Sequence, residues 1–211
     1  MNYFLTLVLV VASGFTHPQA PQQPAGEIRG SVIDPDGRPV PSATVFAVPQ
    51  ALTLEGVMPR SAKTDKDGKF VFGARFRPGT YTLYSRKEEE GYPDPSDRFY
   101  ADSRVEAEVR LTAAKPSATV KVQLRQKAGI LEGRIIDVNT GGAIPARLIF
   151  YDQDGNQHFL MVKGEYRALL PPGKDVSLMV SSPKYSSRVA VARLQLEPGQ
   201  KVHMDIPLSK E

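Results

Sequence analysis

Three histidines, three aspartate-rich turns and one aromatic loop hold the side chains of this 211-residue chain that could do chemistry. His17, His158 and His203 lie far apart, and none has a histidine partner at metal-ligand spacing. The chain has no cysteine, so thiolate metal sites and disulfide staples are both excluded. The turns Asp34-Pro35-Asp36-Gly37, Asp65-Lys66-Asp67-Gly68 and Asp152-Gln153-Asp154-Gly155 invite a calcium reading. If Asp65 and Asp67 are set as third and fifth ligands of an EF-hand, Lys63 falls on the first position and Ala74 on the twelfth. Neither carries a carboxylate, so these segments read as hairpin turns. No G-x-S-x-G elbow and no glycine-rich phosphate loop is present. The reading therefore assigns no catalytic residue, no cofactor and no metal.

One segment remains. Arg86 to Ser103 mixes charge with Tyr92, Phe99 and Tyr100 and contains two prolines. Loops on a rigid scaffold often carry recognition, and exposed rings stack on sugars or peptide side chains, so these three aromatics are the candidate ligand-binding residues. A second loop, Gln50 to Ser61, carries Leu52, Leu54, Val57 and Met58, which are expected to pack on their own domain.

The elements that would position such loops follow from the pattern. A hydrophobic content of 41% with 24% charged residues suits a packed core, and 17 glycines with 18 prolines suit a chain that turns often. The formal charge of +4 is spread over both halves without a basic block, which argues against nucleic acid as a partner. The run Phe4 to Ala12 is too short for a bilayer span, which needs about 20 apolar residues, but it fits the core of a secretory signal. A Pro/Gln-rich tract follows it, from Pro18 to Pro24. Residues 1–25 are read as signal peptide and lead, which implies a secreted or periplasmic protein with no membrane span once the signal is removed.

Beyond that lead, short runs alternate apolar and polar residues between Gly, Pro, Asp and Asn, the signature of a β-sandwich or barrel. The two halves also repeat one another. Glu27–Asp34 matches Ile130–Asp137, with Gly30 over Gly133. Val40-Pro41 matches Ile144-Pro145, and Val45-Phe46 then fall over Ile149-Phe150. Phe70 answers Tyr166, Pro78-Gly79 answers Pro172-Gly173, and Thr119–Leu124 answers Lys201–Ile206. The first core is expected to hold Ile28, Val32, Val45, Phe70, Phe72, Tyr81, Leu83, Val120 and Val122. The second is expected to hold Ile135, Leu148, Phe150, Tyr166, Val176, Leu178, Met204 and Ile206.

The string from Gly30 to Val45, with Thr64–Phe70 and Arg77–Leu83, resembles the carboxypeptidase regulatory-like domain. The resemblance implies a transthyretin-like, immunoglobulin-type β-sandwich over residues 26–125, followed more loosely by the second half. The expected fold is all-β: two tandem immunoglobulin-like (prealbumin-like) sandwiches, at 26–126 and 127–211. The shared residues are turn and core positions, so they fix the fold and leave the ligand open. The expected role is a non-catalytic exported module that binds another protein. The alternative is a carbohydrate-binding sandwich using Tyr92, Phe99 and Tyr100. Oligomeric state is left open.

Overall fold

The computed structural model describes residues 26–50, 59–73, 76–97, 99–100 and 107–210. The apolar run Phe4–Ala12 and the loop residues Leu52, Leu54, Val57 and Met58 lie outside the described residues. Fifteen strands are described, and no α-helix among the described residues. They are β1 (Glu27–Ile33), β2 (Thr44–Pro49), β3 (Arg60–Lys63), β4 (Lys69–Val71), β5 (Gly79–Arg86), β6 (Ala107–Leu111) and β7 (Ser117–Gln123) in the first half. The second half holds β8 (Gly129–Asp137), β9 (Ala146–Asp152), β10 (Gln157–Val162), β11 (Glu165–Leu170), β12 (Val176–Ser182), β13 (Tyr185–Leu194), β14 (Lys201–His203) and β15 (Ile206–Leu208).

Alternation explains these strands directly, because successive side chains leave opposite faces of the pleat. In β5, Tyr81, Leu83 and Ser85 are buried while Thr80, Thr82 and Tyr84 are only partly covered. Strand β1 lies between antiparallel β4 and parallel β7, facing a second sheet of order β3-β2-β5-β6. The later strands repeat that connectivity. Strand β8 lies between antiparallel β11 and parallel β14 and β15, facing a sheet of order β10-β9-β12-β13. No described strand runs through residues 124–128, so the sheets of β7 and β8 are separate.

Each sandwich buries its own core. In the first, Phe70, Phe72, Phe76 and Tyr81 form a chain of edge-to-face rings with centroids 5.5, 5.4 and 5.0 Å apart. Ring edges presented to neighbouring faces complement their charge distributions, so the chain adds to plain burial. All the expected first-core residues are buried except Val120, which is partly covered. In the second, all are buried except Met204, again partly covered.

Two matches between the halves shift when register is used. Leu83 pairs with Ala47 in the first unit, and Leu178 pairs with Phe150 in the second. Val45 therefore corresponds to Leu148 rather than Ile149, because a slip of one residue moves a side chain to the other face. In the closing strand the match slides by two. Gly30 pairs with Val120, and an added Cβ at Gly133 would meet the Met204 carbonyl oxygen at 2.0 Å, so Met204 takes the place of Val120. The buried Leu208, absent from the expected core, then takes the place of Leu124. A slip of two preserves the face, and so the alternation alone could not detect it.

Candidate functional site

The aromatic loop leaves β5 at Arg86 and immediately buries a lysine. Lys87 is 6% exposed, with its Nζ donating to the Pro41 carbonyl at 2.7 Å and lying 2.6 Å from Glu90 Oε1. A buried ammonium needs such partners, since an unpaired charge away from water is costly. A single 3₁₀ turn, Glu88–Glu90, ends at Gly91, whose φ of 90° lies in the left-handed region that favours glycine. Lys87 and Tyr92 then exchange backbone hydrogen bonds at 3.1 and 3.0 Å and close the turn.

From there the segment crosses to the second sandwich. The Gly91 carbonyl accepts the Ala128 amide at 2.8 Å, and Arg167 of β11 donates to the Glu88 carbonyl at 3.1 Å. Asp94 pairs with Arg86 and accepts the Ser96 amide at 2.8 Å. Asp97 accepts the Phe99 amide at 2.9 Å with one carboxylate oxygen, while the other lies 2.7 Å from His158 Nδ1 on β10. The Phe99 ring stacks on His158 at 5.6 Å between centroids, and Tyr100 meets Phe99 edge-on at 5.9 Å. Arg125, buried at the end of the first unit, donates to the Tyr100 carbonyl at 2.7 Å and places its guanidinium 5.8 Å from the Tyr100 ring centre.

The three aromatics expected to meet a ligand are buried: Tyr92 is 6% exposed, Phe99 1% and Tyr100 4%. Tyr92 joins the first core, with Lys127 Nζ 5.2 Å from its ring centre, whereas Phe99 and Tyr100 join the core of the second sandwich. All three rings are thus covered by the protein's own cores. Burial pushes the Tyr100 hydroxyl well above its ordinary pKa. The sequence located the loop but not its destination, and it gave no signal for Arg125 or for the Asp97–His158 pair.

The aspartates of the three turns bond to their own backbone. Asp65 Oδ1 accepts the amides of Asp67 and Lys69, each at 2.9 Å, and Asp152 Oδ1 accepts those of Asp154 and Asn156 at 2.9 and 2.8 Å. Asp34 Oδ1 takes the Arg38 amide at 2.8 Å. These carboxylates shape their own turns, as short acidic side chains commonly do. Among the described residues no group of three or more His, Asp or Glu is placed to hold a metal, and no helix is long and apolar enough to cross a membrane. His203 is an exposed strand residue with Nε2 3.3 Å from Asp205.

An acid sensitivity follows. Burial alone raises the Asp97 carboxyl, but the hydrogen bonds from His158 and the Phe99 amide, with the charges of His158 and Arg125, hold it below its ordinary 3.8. A depressed carboxyl contributes stability that is complete above the ordinary carboxylate range of about 4 and drains as pH falls through the lower folded value. Asp205, held down by Arg134, and Asp137, held down by the Asn139 amide and the Tyr185 hydroxyl, act in the same direction. Thermal melts are expected to hold steady down to about pH 4 and fall below it, with a shallower acid slope in Asp97→Asn. Identical slopes in the two proteins would remove Asp97 from that account.

Three comparisons with known proteins bear on this geometry. The chain is similar to the Bacillus anthracis TIE protein at 15% identity and TM-score 0.36, covering 88% of this chain and 34% of that one. It is similar to a streptococcal ancillary pilin at 14% identity and TM-score 0.40, covering 92% and 64%, and to the minor pilin GBS52 of Streptococcus agalactiae at 13% and 0.39, covering 89% and 97%. The chain thus spans about a third of the first of these proteins and just under two thirds of the second. No curated protein matches the chain. The model of the carboxypeptidase regulatory-like domain matches residues 27–125, the stretch that begins with β1 and ends beyond β7. Residues 27–125, the first of two β-sandwiches in this chain, are therefore similar to the carboxypeptidase regulatory-like domain.

Proposed function

We propose that the chain is an exported, non-catalytic accessory module that binds another protein through the outer surface of two sandwiches joined by the Lys87–Tyr100 strap. The unit boundaries are 26–126 and 127–211, and the second unit is a divergent repeat of the first. The shared strand order, with a parallel closing strand beside β1 and again beside β8, supports the repeat. The observation that carries the functional reading is the fate of the strap. The segment richest in aromatic and charged groups is committed to joining the two units, with Asp97, His158 and Phe99 packed on one another. A carboxylate and an imidazole at 2.7 Å invite a catalytic reading. Here the imidazole face is covered by Phe99 and the carboxylate is held by the Phe99 amide, an arrangement suited to holding a joint.

The carbohydrate alternative rested on Tyr92, Phe99 and Tyr100, which lack the exposed ring faces that sugar stacking uses. Chemical cross-linking in the native envelope, followed by capture of the full chain, is expected to return a reproducible protein partner, while a glycan array with the same protein stays blank. A strong array signal, or cross-linking that yields no partner, overturns the proposal.

A further inference from the structure

Strand β10, Gln157–Val162, is the outermost strand of the sheet β10-β9-β12-β13, and its only strand partner among the described residues is β9. Half of an edge strand's N–H and C=O groups point outward as a template for another strand, so proteins blunt such edges with charge, proline, brevity or bulges. The other described edges carry those devices. β3 has Arg60 and Lys63, and β6 has Glu108 and Arg110. β11 has Glu165 and Arg167, and β13 has Arg188 and Arg193 with irregular register. β4 and β14 are three residues long, and β7 carries Lys121. β10 reads Gln-His-Phe-Leu-Met-Val, with no lysine, arginine, carboxylate or proline. Its one ionisable residue, His158, is turned away from the edge and held by Asp97 and Phe99.

One row of the outer face beside this edge is apolar. Register places Phe159 against Ile149, Ile149 against Met179, and Met179 against Val189, one apolar row across all four strands. Phe159 is 46% exposed and Met161 79%, both on the outer face of β10. An outer face that met only water would be polar in such a row.

We propose that β10 pairs antiparallel with β10 of a second copy of this chain, about a two-fold axis through Leu160. In an antiparallel pair opposed residues share a face, so an axis on a residue keeps each outer face outward. An axis at Leu160 sets Phe159 against Met161 of the other copy, twice. Sulfur–aromatic contact then covers both exposed side chains. The same register puts Lys163 opposite Gln157 rather than opposite another lysine. Arg147, whose guanidinium lies 4.8 Å from the Phe159 ring centre, is on the strand behind β10. The two copies of Arg147 would be three strand spacings apart, roughly 14 Å, which salt screens at ordinary ionic strength. A second copy is favoured over an unrelated strand because this one sequence supplies both halves of the contact in one register. The interface would be isologous and closed, yielding a dimer and not a fibre.

Sedimentation velocity of the full chain across a wide concentration range is expected to show monomers converting to dimers. Met161→Lys, at a side chain already in water, should leave the melting temperature little changed in dilute protein, below the dimerisation range. Two-fold symmetry counts that change twice, so it should weaken dimerisation by about tenfold. Val189→Lys, on the far edge of the same sheet, should leave the dimer intact. Hydrogen exchange at residues 157–162 should slow as concentration rises. A chain that stays monomeric throughout overturns the proposal and leaves the edge to a strand from another protein. A dimer indifferent to Met161→Lys, or one lost with Val189→Lys, overturns it equally.

Discussion

Gly30→Ala is expected to destabilise the chain by about 4 kcal/mol or more, which is most of the stability of an ordinary domain. Gly30 sits in the middle strand of its sheet, paired with Phe70 of β4 on one side and Val120 of β7 on the other. A Cβ added there would stand 1.8 Å from the Val120 carbonyl oxygen and 3.0 Å from the tip of the Phe70 ring. Carbon and oxygen approach no closer than about 3.3 Å even in favourable contacts, so β1 and β7 must part by more than an ångström. That opens the parallel ladder closing the sandwich, together with the buried Val122 beside it. The equivalent Gly133, paired with Tyr166, would meet the Met204 carbonyl oxygen at 2.0 Å and should behave alike.

Gly37→Ala supplies the contrast. Its φ of 82° is left-handed, yet nothing lies within 4 Å of the added Cβ. Only the backbone preference is lost, so about 1 kcal/mol is expected. Urea unfolding followed by circular dichroism measures all three. Gly30→Ala within about 1 kcal/mol of Gly37→Ala would show that close strand approach is not what the first glycine serves.

Phe99→Ala should cost about 3–5 kcal/mol, the range for removing a fully buried aromatic ring and leaving a cavity. The ring is 1% exposed, packs with the second core and covers one face of His158, so its removal further wets the already part-exposed Asp97–His158 pair. The second expected consequence concerns cooperativity. If the Phe99 contact is what couples the two cores, the unaltered chain should give one calorimetric transition and the variant two. A single transition moved by less than about 1 kcal/mol would remove Phe99 from the link between the units.

How much of this was legible beforehand depends on whether a feature is local. Gly68 is a clear case. Its φ of 72° lies in the left-handed region, and an added Cβ would meet the Val40 amide nitrogen at 2.9 Å. The Asp-Lys-Asp-Gly string announces that turn without reference to the rest of the chain. Likewise Ile28, Val32, Tyr81 and Leu83 declare their faces by spacing alone, because in a strand period two decides which side is buried. The loop that carries Tyr92, Phe99 and Tyr100 was also visible, as a stretch that fits neither the alternation nor the repeat.

What the sequence by itself determined, then, was the strands, their inward faces and the turns, because each follows from neighbours within a few residues. The tertiary structure alone decided where non-local partners meet. Register between distant strands put Val45 with Leu148 and Gly30 against Val120. Only packing of one unit on the other sent Phe99 to His158, some sixty residues further along the chain, and turned an expected binding loop into a joint. Burial rewards any apolar ring that finds a dry surface and carries no instruction about which surface. That choice is made in three dimensions, where the second core lies against the loop.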